Sequence, residues 1–323
     1  MFYSNGVMWN SLFSSFLLAV WIFSASEALA SGVVFNDGFE SGAIELTLWN
    51  PQVYDHVDGA TIVTASSGGP VRSGEYAVRM KLAVTDPLDP GGKHRSELRP
   101  RSKPNELSYQ APFGLAMVYE LSIQLPADWQ PDGPEIVAQW HGKVDRDGSG
   151  IQTEPHRSPP LALRMTFVES PPTSGTFVPA WNIVSHWDAN ETTSPDLSSV
   201  TTVTVLDPVD ATADLGQWVD WRFEVTWDWD PDGDGHVRVL KDGFEIATYD
   251  GPNAFNDAEG PNSKIGLYKW NWPTDEVNLR VAYYDDVRIF IESTALPALG
   301  PTGGAAAILV LGAAGVLWTA RRT

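Results

Sequence analysis

From Trp218 to Trp227 the side chains alternate. Trp221, Phe223, Val225 and Trp227 fall on one side of the chain, and Asp220, Arg222, Glu224 and Thr226 on the other. A period of two belongs to a strand with one buried and one wet face. Helical periodicity is almost missing from the rest of the mature part. Further strand segments read at Tyr76–Ala83, Met117–Gln124, Glu135–His141, Leu161–Val168, Trp181–His186, Lys264–Trp270 and Arg280–Ile291. Val237–Leu240 and Phe244–Ala247 flank Asp242-Gly243, the dipeptide of a tight hairpin. Many short strands, Pro- and Gly-rich connections and no internal repeat predict an all-β sandwich or jelly roll in one domain. Polar loops near 145–160, 170–180 and 188–215 are expected to rim a groove.

The 323 residues suffice for one large β-domain, and the absence of cysteine excludes disulfides and thiolate metal sites. Leu12 to Ala25 is an apolar run, and Ala28-Leu29-Ala30 is a small-x-small cleavage pattern. Residues 1–30 therefore read as a signal peptide, although no Lys or Arg precedes the run; an uncleaved anchor is the alternative. Ala305 to Ala320 is a second apolar run, closed by Arg321-Arg322. It is short for a span, which needs roughly 20 residues. With Leu296-Pro297-Ala298-Leu299-Gly300-Pro301 before it, segment 294–323 is similar to the C-terminal sorting signals of Gram-negative surface proteins; a plain tail anchor is the alternative. The expectation is an exported module over 31–293, secreted or displayed on a Gram-negative cell surface. The last segment would engage the membrane or a sorting machinery.

The formal net charge is −20. Such a field repels polyanions at long range and excludes nucleic-acid binding through bulk charge. A polyanion site must then be a local cationic patch. Lys93, Arg95, Arg99, Arg101 and Lys103 supply one, five of the chain's 21 Lys and Arg within eleven positions. A solvated basic loop is the plainer explanation.

Within strands, residues two or four apart share a face. Lys93, Arg95, Glu97 and Arg99 form one such set, Gln139 and His141 a second, Lys264 and Tyr268 a third. If these faces line one groove, its surface is cationic and bears a histidine and a tyrosine. His141 has an imidazole suited to general-base work near neutral pH. Lys264 can lower the pKa of Tyr268. Taken singly, a strand His or Tyr is more often structural, and His94, His156, His186 and His236 have no such companions. No Glu-x-Asp-x-x-Glu run of the retaining sandwich glycosidases is found, nor a Gly-x-Ser-x-Gly nucleophile motif. Asp228-Trp229-Asp230-Pro231-Asp232-Gly233-Asp234-Gly235 has the acidic spacing with which an EF-hand loop begins. Position twelve is Val239 or Lys241, however, and strands flank it. An acidic turn is the favoured reading, and a weak structural calcium ion stays open.

Gly92-Lys93-His94-Arg95-Ser96-Glu97-Leu98-Arg99, Gln139-Trp140-His141, Lys264-Ile265-Gly266-Leu267-Tyr268-Lys269-Trp270 and Tyr283-Tyr284-Asp285-Asp286-Val287-Arg288-Ile289 together resemble the heparin lyase I-like and glucuronan lyase-like polysaccharide lyases. Phe35-Asn36-Asp37-Gly38-Phe39-Glu40-Ser41-Gly42 is similar to that family's first strand. The likeness runs from about 35 to 291. It implies a concanavalin-like β-jelly roll with a concave substrate groove, acting as a monomer with no required cofactor. It also implies catalytic Gln139, His141 and Tyr268, with Lys93, Arg95, Arg99, Lys264 and Lys269 holding substrate.

The expected partner is an acidic polysaccharide cut by β-elimination. The proton on C5 of a 4-linked uronate is acidic enough only if the carboxylate is neutralised, a task for Gln139 with Arg95 or Lys93. Where C5–H and O4 lie on opposite sugar faces, His141 is base and Tyr268 acid. Where they share a face, Tyr268 could do both. Few Lys-rich stretches argue against heavily sulfated chains, so an unsulfated glucuronate polymer comes first. A non-catalytic surface carbohydrate-binding protein of the same fold is the alternative, with exposed tryptophans stacking on sugars.

Overall fold

Alternation becomes strand nearly everywhere it was read. The computed structural model of the chain describes residues 32–292 apart from 55, 57, 102, 131, 153 and 273–276. The expected signal peptide and C-terminal segment lie outside the described residues. In chain order the strands are β1 Val33–Asp37, β2 Trp49–Gln52, β3 Ala60–Thr64, β4 Tyr76–Ala83, β5 His94–Pro100, β6 Ala116–Gln124, β7 Glu135–His141 and β8 Leu161–Glu169. They continue with β9 Phe177–Trp187, β10 Thr201–Asp210, β11 Trp218–Thr226, β12 His236–Lys241, β13 Phe244–Asp250, β14 Asn262–Lys269 and β15 Leu279–Ile291. One sheet runs β13-β12-β11-β6-β15-β4-β3, with β1 also on β15; the other runs β10-β9-β8-β7-β14-β5-β2. All pairings between strands are antiparallel. The result is a two-sheet jelly-roll sandwich.

The inner faces of both sheets meet in one apolar core. Trp140 packs edge-on to Tyr119 at 5.3 Å and against Phe223 at 4.6 Å, and Trp181 meets Trp221 at 5.1 Å. Trp49, Trp140, Trp181, Trp221 and Trp227 are all buried. These tryptophans build the core and do not stack on sugars at the surface, because the inward positions of wide strands must be filled by large side chains.

The segment 188–215, expected to be loop throughout, contains β10. It is an edge strand, wet on both faces, so it carries no apolar alternation, and its Pro208 is tolerated there. The Asp242-Gly243 hairpin is as expected, with φ of 51° and 81°, the mirror-image turn that Gly accommodates.

Candidate active site

The three polar strand segments are neighbours: β14 lies between β7 and β5 in the seven-stranded sheet. Register stacks their outward residues in rows. Tyr268 faces Arg95, Gly266 faces Glu97, Lys264 faces Gln139, and Asn262 faces His141. Inward positions of the same strands, Leu98, Trp140, Ile265 and Leu267, belong to the core. Catalytic candidates that are more than 120 residues apart in sequence thus share one outer face.

At the centre is a carboxylate that the sequence reading left without a role. Glu97 is 1% exposed. Its Oε2 accepts from Arg95 Nη1 at 2.6 Å and lies 3.8 Å from Lys264 Nζ, while its Oε1 accepts a short hydrogen bond from Gln139 Nε2. Arg95 Nε also donates to Asp89 Oδ2 at 3.0 Å. Asp89 sits on the preceding turn, held by the backbone N–H groups of Gly91 and Lys93. The cationic set is therefore a network in which Arg95 and Lys264 already have acidic partners. Such a network fixes rotamers and keeps the Gln139 amide in one orientation.

Two protonation states matter. His141 Nδ1 is 2.7 Å from the Gly142 carbonyl, so in the neutral ring Nδ1–H donates there and Nε2 keeps its lone pair. Burial, reinforced by the Lys264 charge, holds His141 well below the usual imidazole range. Burial raises Tyr268 above the usual phenol range, while Arg95 opposes that rise from 4.3 Å above the ring. At neutral pH the face thus carries an unprotonated imidazole and a protonated phenol. The cation acting on Tyr268 is Arg95, across the strand pair, rather than Lys264. Lys264 is itself lowered to about 7 by burial, an effect that Glu97 resists.

Not every expected residue reaches this face. Lys269 follows Tyr268, so the pleat turns it inward. It is fully buried, its Nζ donating to the Asp132 carbonyl at 2.6 Å and pairing with Glu135 at 3.3 Å. Glu135 is shared with Arg280 at 2.9 Å. Lys269 is thus a structural ion within the sandwich, a correction to its expected role as a substrate ligand. Arg99 does face outward, half-buried, with its Nε lacking a partner among the described residues. Among the described residues Lys93 Nζ reaches only the Trp270 carbonyl, at 3.4 Å.

The Asp228–Asp234 turn spends two of its carboxylates on backbone. Asp228 accepts from the N–H groups of Asp230 and Asp234, and Asp230 accepts from that of Asp232. Oxygens that converge closely enough for a cation belong instead to Asp145, Glu154 and Asp257. There Arg157 already stands, its Nη2 donating to both Asp257 carboxylate oxygens at 2.6 and 2.7 Å and its Nη1 3.3 Å from Glu154.

A strand bulge shapes the face. The register of β14 on β7 shifts between Ile265 and Tyr268, and Gly266 has φ of 125°. From the opposite sheet, the buried Tyr284 hydroxyl lies 2.9 Å from the Val137 carbonyl and 3.1 Å from that of Gly266. It ties the bulged parts of both strands to β15.

A family model described as polysaccharide lyase matches residues 49–288. Among solved structures, the chain is similar to an endo-β-1,4-glucuronan lyase from the fungus Trichoderma reesei, at 18% identity and a TM-score of 0.52 over 76% of this chain and 94% of that one. A family 7 alginate lyase, A1-II′, in complex with a substrate, is similar at 16% identity and a TM-score of 0.50 over 81% of this chain and all of that one. At these identities the likeness establishes the fold. No curated protein matches the chain.

Proposed function

The chain belongs to the polysaccharide lyase family, whose model covers residues 49–288, and on that basis we propose that it cleaves an unsulfated uronate polymer by β-elimination, a glucuronate polymer first and alginate second. The observation that carries this reading is that Gln139, His141 and Tyr268 share one outer face with Arg95 and Lys264. On that face a neutral His141 with a free Nε2 and a protonated Tyr268 fit elimination across opposite sugar faces, whereas glucuronate draws on the Tyr268 phenolate.

Gln139 has one amide N–H on Glu97 and a second left for the substrate carboxylate. Lys93 and Arg99, not consumed by carboxylates of the protein, supply positive charge. Neutralising the uronate carboxylate lets the C5 carbanion spread into an enediolate. On a sugar with C5–H and O4 on opposite faces, His141 Nε2 takes the C5 proton. Tyr268 then protonates O4 as the glycosidic bond breaks, leaving a C4–C5 double bond. On glucuronate, where both lie on one face, Tyr268 makes both transfers: its phenolate takes the proton and the phenol returns it to O4. Arg95 above the ring is the charge that favours that phenolate. His141 then helps only as a protonated donor to the carboxylate, a state that its burial opposes.

Export is part of the proposal, supported by the apolar run and cleavage pattern before Ser31. Family membership favours a lyase over a binding module. Incubation with glucuronan, alginate, heparin-type chains and neutral glucans, read by the ultraviolet absorbance of unsaturated uronates, tests the reading. Absorbance should rise with the unsulfated uronate polymers and vanish when their carboxyls are reduced to alcohols. Cleavage of a carboxyl-reduced polymer without that absorbance would mean hydrolysis and overturn the mechanism.

A further inference from the structure

Arg164 was not among the residues suggested by sequence motifs, and like Arg99 it is a partly buried cation whose Nε has no partner among the described residues. On β8, Leu163 and Met165 point into the core and Arg164 points out. Register continues the Tyr268 row across the sheet: Arg95, Tyr268, Ile136, Arg164 and Asn182 lie side by side on successive strands. Arg164 is two strands from Tyr268, roughly 10 Å between backbones at ordinary strand spacing.

Among the described residues Arg164 has no carboxylate partner and no hydrogen bond, and its Nε is out of reach of water. Its guanidinium carbon lies 5.5 Å from the centre of the Trp270 ring. By contrast Arg95, Arg157, Arg222, Arg238 and Arg280 each meet an acidic side chain. The chain has 41 Asp and Glu against 21 Lys and Arg, so partners are in surplus. Burial disfavours the Arg164 charge, yet guanidinium stays protonated. A half-buried cation left open on the candidate active face costs stability unless something else completes it.

We propose that Arg164 and Trp270 form a further uronate subsite beside the cleavage point, the guanidinium taking the carboxylate of a neighbouring sugar and the indole packing on its ring. The subsite rests on the lyase reading for its ligand class. The planar fork accepts a carboxylate in two parallel hydrogen bonds, and Trp270, four residues from Gly266 and two from Tyr268, continues the outward face of β14. A merely structural Arg–Trp contact would leave the polymer indifferent to Arg164.

The test uses the full chain with Tyr268→Phe, so that polymer binds without turnover. Adding Arg164→Gln should weaken binding of glucuronan or alginate oligomers about tenfold or more, at the low end of what a charge-assisted hydrogen bond contributes. Binding of the carboxyl-reduced oligomers should not change. In the Tyr268 enzyme the loss should fall on KM rather than kcat. A second measurement needs no variant: phenylglyoxal modification of Arg164 in the wild type, mapped by mass spectrometry, should be blocked by uronate oligomers and not by carboxyl-reduced ones. Equal affinities, or equal modification with both oligomers, overturn the subsite and leave the lyase reading standing. Lost binding in Arg164→Gln from a protein that yields no unsaturated product keeps the subsite and sinks the lyase reading.

Discussion

Tyr268 is the side chain on which the proposed chemistry turns under either stereochemistry. Tyr268→Phe keeps the ring beneath Arg95 and removes one oxygen. Turnover should fall on the order of 10²–10⁴-fold, the range for an acid–base group, with an unchanged melting curve; near-normal rates would make Tyr268 a packing residue. His141 gives a pH signature. On a substrate with C5–H and O4 on opposite sugar faces it works unprotonated, and burial and Lys264 both lower its pKa. The acid limb of kcat/KM should therefore lie below the ordinary imidazole value of about 6.5. Lys264→Met removes a positive charge that opposes His141 protonation, so it should move that limb upward. Lys264 itself is lowered to about 7: it is charged below that pH and neutral above. Any help it gives to carboxylate binding should fade, and KM rise, as pH climbs through 7 in the wild type but not in Lys264→Met. An unmoved acid limb in the variant would show that Lys264 does not act on His141. Glu97 and Asp89 could not be assigned from sequence, because their roles depend on contacts across strands and a turn. Lys269 was misplaced by its motif, although the alternation that put Lys264 and Tyr268 on one face already turned it inward.

At the scale of the strand, the sequence was most legible where one face is dry. Tyr76–Ala83 and Glu135–His141 were read with their observed ends. β2, β3 and β10 were not read as strands: β2 is four residues long with only Trp49 fully buried, β3 is short and partly buried throughout, and β10 is wet on both sides, so none shows a period of two. Arg164 was visible in principle as the one charged residue in the apolar stretch Leu161–Met165. The bulge in β14 was not legible, yet it presents the site. A Cβ on Gly266 would stand 2.3 Å from the Ser96 carbonyl oxygen and 2.7 Å from Glu97 Cα, at a φ that L-residues avoid. Gly266→Ala should therefore cost roughly 2–5 kcal/mol from strain and overpacking and displace Glu97 from its partners. Chemical denaturation and kcat should both register it. A variant as stable and active as wild type would mean that the bulge is dispensable.

For the whole molecule, the contrast is between a charge of −20 and one face with open cations. Polyanion binding should weaken as salt rises, because local charge-assisted contacts are screened. Arg99→Glu should abolish it, whereas Lys241→Glu, which lies in the other sheet and pairs with Asp214 at 2.7 Å, should not. Equal losses would point to diffuse charge instead of a site. The outer face of that other sheet has a cleft of about 300 Å³ near Arg72, Glu120, Asp220 and Arg222, but its cations are paired with its own acids. The pairing of β1 with β15 carries a further consequence, in time rather than space. The first and last described strands are hydrogen-bonded neighbours, and β5 waits for β14 while β6 waits for β15. Loop closure over such separations must precede any reward from contacts. A chain released from the N-terminus onward can therefore pair β6-β11-β12-β13 and β7-β8-β9-β10 early, but β14 and β15, which join these portions to the N-terminal strands, come last. It commits to its fold late, once β14 and β15 have emerged, and a version shortened before β15 should stay protease-sensitive however much of the rest is present.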